Sequence, residues 1–210
     1  MDILHDISQN LQQGRAKAVR ELVQQAIDSG LDSERILNEG LLAGMSVIGR
    51  KFKADEIYVP DVLIASRAMN MGAEVLKPLL MKNGTKARGK VILGTVRGDM
   101  HDIGKNLVKM MMEGKGLEVV DLGTDVPGER FIDEAVSSGA RVIALSALLT
   151  TTLGEMKQIV DLAFARGIRD KIKIMIGGAP VTEEFRRSIG ADYYAADAAT
   201  ASEIALSVFE

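Results

Sequence analysis

From Asp2 to about Lys82 the apolar residues recur at the spacing of a helix. From Lys90 onward, short β-rich runs alternate with amphipathic stretches. That change of period limits the possible folds more than any other feature of the chain. In the first stretch Val19, Leu22, Val23, Ala26 and Ile27 fall on one helical face, and so do Ile36, Leu37, Leu41, Leu42 and Met45. Breaks are expected at Gln13-Gly14, at Ser29 to Ser33, where Asp32 or Ser33 can cap the next helix, and from Asp55 to Pro60. Pro60 suits a helix's first turn because its missing N–H has no partner there in any case. Four helices follow, the last over 60–81, and they can bury their apolar faces as a small bundle.

Lys82 to Gly89 is polar, glycine-bearing and aperiodic, which marks a linker. Two domains are therefore expected, 1–84 and 89–210. In the second, strands are expected over 90–96, 117–122, 141–146, 171–176 and 191–195. Helices are expected over 105–113, 129–138, 153–166, 183–189 and 199–209. Continuously apolar strands separated by helices imply a parallel sheet covered on both faces, so the fold class is α/β, a helical bundle followed by a doubly wound, Rossmann-like or flavodoxin-like domain. Ligands of such sheets bind beyond the carboxyl ends of the strands. The residues after Val96, Ser146 and Ile176 are the ones to examine.

A formal charge of −3 and the lack of a Lys/Arg cluster argue against nucleic acid as a partner. The absence of Cys excludes thiolate nucleophiles and cysteine-ligated zinc. The N-terminus is acidic where a signal peptide is basic, and no apolar run approaches the ~20 residues that span a bilayer. No membrane role is expected, and the cytoplasm is the expected compartment.

Gly94 to Asn106 follows the first strand and leads into a helix, and it carries glycines and a lysine. The P-loop needs four residues between its glycines and Ser or Thr after the Lys. Here Gly98 and Gly104 enclose five, and Asn106 follows Lys105. The dinucleotide fingerprint fails as well, since no glycine stands two residues after Gly98. What remains is His101 between two carboxylates, Asp99 and Asp102. Spacing alone leaves a helix cap with a surface histidine balanced against metal ligation. Zinc fits poorly, because the other histidine, His5, lies in the helical half. A lone His with a carboxylate two residues away suits a metal whose remaining positions are filled by a macrocycle.

Asp99-x-His101-x-x-Gly104, then Ser146-x-Leu148, then Gly177-Gly178 resemble the three-part signature of the cobalamin-binding domain of cobalamin-dependent methionine synthase and of methyltransferase corrinoid proteins. The resemblance extends to the helical half. It implies a cobalamin or related corrinoid held base-off/His-on, its lower base detached from cobalt and threaded into a slot. By the same resemblance His101 is the axial cobalt ligand, Asp99 its hydrogen-bond partner, and Gly98, Met100, Asp102, Ile103 and Gly104 the rest of the binding loop. Ser146, Leu148 and Thr150 would line the slot, and Gly177 and Gly178 would let the backbone approach the tail. Thr152 would be a third member of the ligand relay, where methionine synthase has Ser. Strand-end hydroxyls that cap the next helix are the alternative reading of Ser146, Thr150, Thr151 and Thr152. The helical half resembles a cap, with Phe52, Val59 and Val62 as apolar contacts to the reactive face; ordinary bundle core is the alternative.

The function implied is a methyl carrier of one-carbon metabolism, a component of a corrinoid-dependent methyltransferase system that completes no reaction alone. Its implied partners are a substrate:corrinoid methyltransferase, a corrinoid:pterin or corrinoid:thiol methyltransferase, and a reductive activator. Two other classes stay open: a cobalamin-binding regulator or sensor, and the small subunit of an adenosylcobalamin-dependent mutase.

Overall fold

A computed structural model describes residues 2–82 and 87–210, with backbone only for Met81 and Lys82. The expected linker at Lys82 to Gly89 thus falls partly, at 83–86, outside the described residues. The chain divides into two compact units, Met1–Lys86 and Ala87–Glu210.

The first unit is helical. It contains α1 (Ile3–Gln12), α2 (Ala16–Asp28), α3 (Ser33–Arg35), a π-helical segment (Ile36–Leu42), α4 (Ala43–Lys53) and α5 (Val59–Lys82). From α3 to α4 the helix is unbroken, so four rods form, as the breaks predict. Asp2 caps α1 and Asp32 caps α3, their side chains accepting from Leu4 N and Arg35 N at 3.1 Å each. The buried residues keep helical spacing: Leu4, Ile7 and Leu11, then Val19, Val23 and Ala26, then Val62, Ala65, Met69 and Leu76. The π segment was not expected. Its extra residue per turn leaves the apolar stripe intact, so periodicity does not register it.

The second unit is a five-stranded parallel sheet in the order β2-β1-β3-β4-β5, from β1 (Lys90–Thr95), β2 (Glu118–Asp121), β3 (Val142–Ser146), β4 (Lys173–Gly177) and β5 (Tyr193–Ala195). Five helices connect and follow the strands: α6 (Ile103–Glu113), α7 (Gly128–Ser138), α8 (Leu153–Ala165), α9 (Glu183–Ile189) and α10 (Ala198–Ser207). Alternate strand residues feed two cores. Ile92, Ile143, Leu145, Ile174 and Ile176 pack with Phe131 of α7 and Met156, Ile159 and Val160 of α8. Val91, Leu93, Val142, Ala144 and Met175 pack with Met112 of α6 and Ala201 and Ala205 of α10. Both faces are therefore covered, as continuously apolar strands require. The connections after β1 and β3 leave on opposite sides, which opens a crevice at their carboxyl ends.

One buried ion pair ties α6 to the end of β2. Lys105, 3% exposed, donates to both Asp121 oxygens and to Asn106 Oδ1, each at 2.7 Å. Burial works against the Asp121 charge, but the Lys105 ammonium and the Gly123 N–H outweigh it and hold the carboxyl below its usual range. A depressed carboxyl contributes stability above its unfolded-state value of about 3.9 and loses it as pH falls through the lower folded-state value. Lys105→Met leaves Lys109, 3.6 Å away, as the nearest cation. That change is expected to cost about 3 kcal/mol at pH 7 and to flatten the acid limb of the stability curve. Denaturant unfolding at neutral and acid pH measures both, and an unchanged midpoint at pH 7 contradicts the role.

Candidate functional site

The crevice between β1 and β3 is where His101 stands. β1 ends at Thr95, and the chain passes Gly98, at φ +79°, before α6 begins at Ile103. Buried Thr95 donates its hydroxyl to the His101 carbonyl at 2.9 Å, which folds the loop back over the strand end.

Asp99 turns inward. Its side chain is fully buried, and its two oxygens collect donors from both sides of the crevice. Oδ1 accepts from His101 N at 3.0 Å and faces His101 Nδ1 at 2.7 Å. Oδ2 accepts from Leu148 N at 2.7 Å, Leu149 N at 3.2 Å and the Thr152 hydroxyl at 3.2 Å. Burial pushes this carboxyl up, but the backbone N–H groups of His101 and Leu148, the His101 ring and the Leu149 N–H together hold it well below the usual carboxylate range. It is an anion at any physiological pH. An anionic oxygen only accepts, so the ring proton sits on Nδ1. In the neutral ring the lone pair is then on Nε2, and the His101 side chain is 51% exposed. A carboxylate that fixes one imidazole nitrogen and bares the other is the standard orientation of a metal-ligating histidine.

Large apolar side chains on the two loops that meet at Asp99 face solvent. Met100 is 70% and Ile103 76% exposed, and Leu148 and Leu149 are each about two-fifths exposed. Exposed apolar side chains on the loops beside a bared nitrogen suit a broad, largely apolar plate. Gly104 supports the same shape: a Cβ built there meets nothing within 4 Å, although glycine in a helix costs about 1 kcal/mol relative to alanine. Among the described residues no group of three or more His, Cys, Asp or Glu could cage a metal. A protein-only metal site is therefore not offered by them, whereas one axial ligand to a preformed macrocycle is.

The expected site residues fall as follows. Asp99, His101 and Thr152 come together, and Leu148 joins them through its backbone N–H. Thr152 stands at the N-cap of α8 yet spends its hydroxyl on Asp99 and on the Leu149 carbonyl at 2.9 Å, so capping is not its use. Ser146 pairs across the sheet with Thr95 and Gly177, which places it in the crevice floor. Thr150 and Thr151 are exposed on a single 3-10 turn. Asp102 accepts from Asn106 Nδ2 at 3.1 Å. Gly104, read as loop, is inside α6, because the helix starts two residues before the expected Lys105. At Gly178 the obstacle to a Cβ is the protein itself: at φ +132° it would lie 1.8 Å from the Ala147 carbonyl oxygen. In the helical unit Phe52 and Val59 are half-buried. Val62 has no exposed surface, which is the burial of ordinary bundle core. The amides of Leu148 and Leu149 leave no trace in residue identity, and the Thr95 hydroxyl reads as an ordinary strand residue because its partner is the His101 backbone carbonyl.

A doubly wound domain whose crevice presents one oriented imidazole beside exposed apolar side chains is suited to hold a metal macrocycle. Comparison with known proteins gives the particular one. The family model described as B12 binding domain matches residues 89–206, and a second model of the same description matches residues 3–77. A corrinoid protein of Desulfitobacterium hafniense is 38% identical over 208 residues, 98% of this chain and 96% of the relative. A trimethylamine corrinoid protein of Methanosarcina acetivorans is 43% identical over 83% of this chain and 82% of the relative. Among solved structures, a chain of the methanol:cobalamin methyltransferase complex of Methanosarcina barkeri superposes with a TM-score of 0.89 at 31% identity, covering 99% of this chain and 80% of that one. A cobalamin-binding protein of Desulfitobacterium hafniense superposes with a TM-score of 0.80 at 32% identity, covering 97% of both. The chain belongs to the B12-binding family of corrinoid proteins. No helix among its described residues is long and apolar enough to cross a membrane.

Proposed function

We propose that this protein is a methyl carrier that holds a corrinoid base-off/His-on, with His101 Nε2 as the lower axial ligand. The observation that carries the reading is the buried Asp99 carboxylate 2.7 Å from His101 Nδ1, which leaves Nε2 free on a half-exposed ring. Bound there, the corrinoid supplies a cobalt centre able to accept and pass on a methyl group. His101 anchors the lower face. Asp99 sets its tautomer and is itself locked by Leu148, Leu149 and Thr152. Gly104 leaves room for the ring. Ser146, Leu148, Thr150, Gly177 and Gly178 are the proposed walls of the slot for the detached base. Phe52 and Val59 are proposed as apolar contacts from the helical unit.

The chain carries no zinc constellation among its described residues, so donor activation is assigned to a partner, a substrate:corrinoid methyltransferase. The likeness to a chain of a methanol:cobalamin methyltransferase complex supports such a partner. A pterin or thiol methyltransferase as acceptor, a reductive activator, and a cytoplasmic site of action complete the proposal.

The test loads the protein with hydroxocobalamin, reduces it, and supplies methanol, methylamines, betaine and aryl methyl ethers in turn, with and without donor methyltransferases. The expected result is methylation of the bound corrinoid only when a methyltransferase and its own donor are both present. Failure to bind a corrinoid contradicts the whole reading. Binding without methylation by any donor system favours a sensor or a mutase subunit.

A further inference from the structure

The loop that carries Asp99 and His101 is gripped from a second side, by the turn that follows β2. Gly123 O accepts from Thr95 N at 2.9 Å, and Val126 N donates to Thr95 O at 3.1 Å; Val126 also bridges Val96 in parallel fashion. Between them lies Asp125. Its Oδ1 accepts from Gly98 N at 2.7 Å, and its own N donates to Asp99 O at 2.9 Å. Its φ is +54°, a left-handed conformation shared, among described non-glycine residues, only with Asp55. Aspartate tolerates that region better than most residues, at a cost of about 1 kcal/mol or more. The other end of the turn is fixed by Asp121, bound to Lys105 and to Gly123 N at 3.0 Å. Both polar ends of Asp125 are thus spent on the backbone of Gly98 and Asp99, and neither contact involves the imidazole itself.

We infer that Asp125 is a positioning residue for the histidine ligand: it holds Gly98 and the Asp99 backbone so that the Asp99 carboxylate lies under His101 Nδ1. This rests on the reading of His101 as the axial ligand. Asp125 acts through the loop backbone and makes no contact with the cofactor.

Three substitutions separate the possible causes. Asp125→Ala removes the acceptor and disfavours the left-handed conformation. Asp125→Gly accepts that conformation but lacks the acceptor. Asp125→Asn keeps both. Each protein is labelled with nitrogen-15 histidine, loaded with unlabelled cobalamin, reduced to the Co(II) state and examined by electron paramagnetic resonance. A protein histidine on cobalt gives doublet splitting, and the cofactor's own base gives triplet splitting. Loss of one hydrogen bond to a carboxylate predicts about a tenfold fall in the ratio of histidine-ligated to unligated cobalt in the Ala and Gly variants. The Asn variant is expected within about twofold of the parent, since it loses charge and not geometry. Exchange of the Gly98 amide in the cofactor-free protein is expected to quicken in the Ala and Gly variants alone. A doublet that persists in both of those variants overturns the inference, as does loss in Ala with retention in Gly, or loss in Asn equal to that in Ala. A parent protein without the doublet marks instead the failure of the ligand reading beneath it.

Discussion

Asp99→Ala is expected to lower stability by roughly 3–5 kcal/mol, on the order of a 10 °C fall in Tm for a chain of this size. Five donor contacts converge on the two oxygens, from the His101 ring, the amides of His101, Leu148 and Leu149 and the Thr152 hydroxyl. Only the hydroxyl has a second acceptor, the Leu149 carbonyl. Truncation leaves the amides in the crevice unpaired, which costs more than the contacts' net worth. The isosteric amide is expected to rescue little. Whichever way the new side chain of Asp99→Asn is turned, its NH2 faces at least one backbone N–H: that of His101 at one position, those of Leu148 and Leu149 at the other. Thermal unfolding of the cofactor-free protein measures the cost, and an Asp99→Asn variant as stable as the parent contradicts this account. Asp99→Ala also releases Nδ1, and Asp99→Asn offers it at best a neutral acceptor, so corrinoid ligation is expected to fall with stability.

Two glycines of the site are expected to behave in opposite ways. Gly178→Ala places a Cβ 1.8 Å from the Ala147 carbonyl oxygen, a backbone atom in the strand connection that cannot step aside. The expected result is a loss of more than about 3 kcal/mol, or no folded second unit at all. Gly104→Ala meets nothing within 4 Å. It is expected to stabilise the cofactor-free protein by about 0.5–1 kcal/mol through helix propensity and to weaken corrinoid binding about tenfold or more by intruding on the ring's place. Melting of the free proteins and titration with hydroxocobalamin read the two effects separately. Gly104→Ala with unchanged affinity contradicts the placement of the ring against α6.

Much of this architecture was legible because the two periods are clean. Strands such as Val142–Ser146 are apolar up to their last residue, since both faces are covered, and the helix that Asp32 caps starts at a break the residues mark. Less legible were features that reside in the backbone. The π segment at Ile36–Leu42 leaves the apolar stripe unbroken. Gly104 reads as loop punctuation, but it lies within a helix and only its open side sets it apart. Asp99 reads as a partner of His101 or as part of a helix cap, but its burial is not legible, because the amides of Leu148 and Leu149 that draw it inward lie some fifty residues away and are common to every residue type. For the same reason Asp125, which bonds only backbone, attracts no notice in the sequence. Spacing brought His101 as far as an even choice between surface residue and metal ligand. The macrocycle came from the resemblance of three separated motifs, and the geometry of Asp99 and His101 then gave it a physical basis.

The measurement closest to the central claim is the splitting pattern of the Co(II) protein labelled with nitrogen-15 histidine and loaded with unlabelled cobalamin. If His101 Nε2 holds the cobalt and the cofactor's base is detached, the parent shows a doublet, and His101→Ala, which keeps His5, abolishes it. A triplet in the parent, or a doublet that survives His101→Ala, contradicts the account.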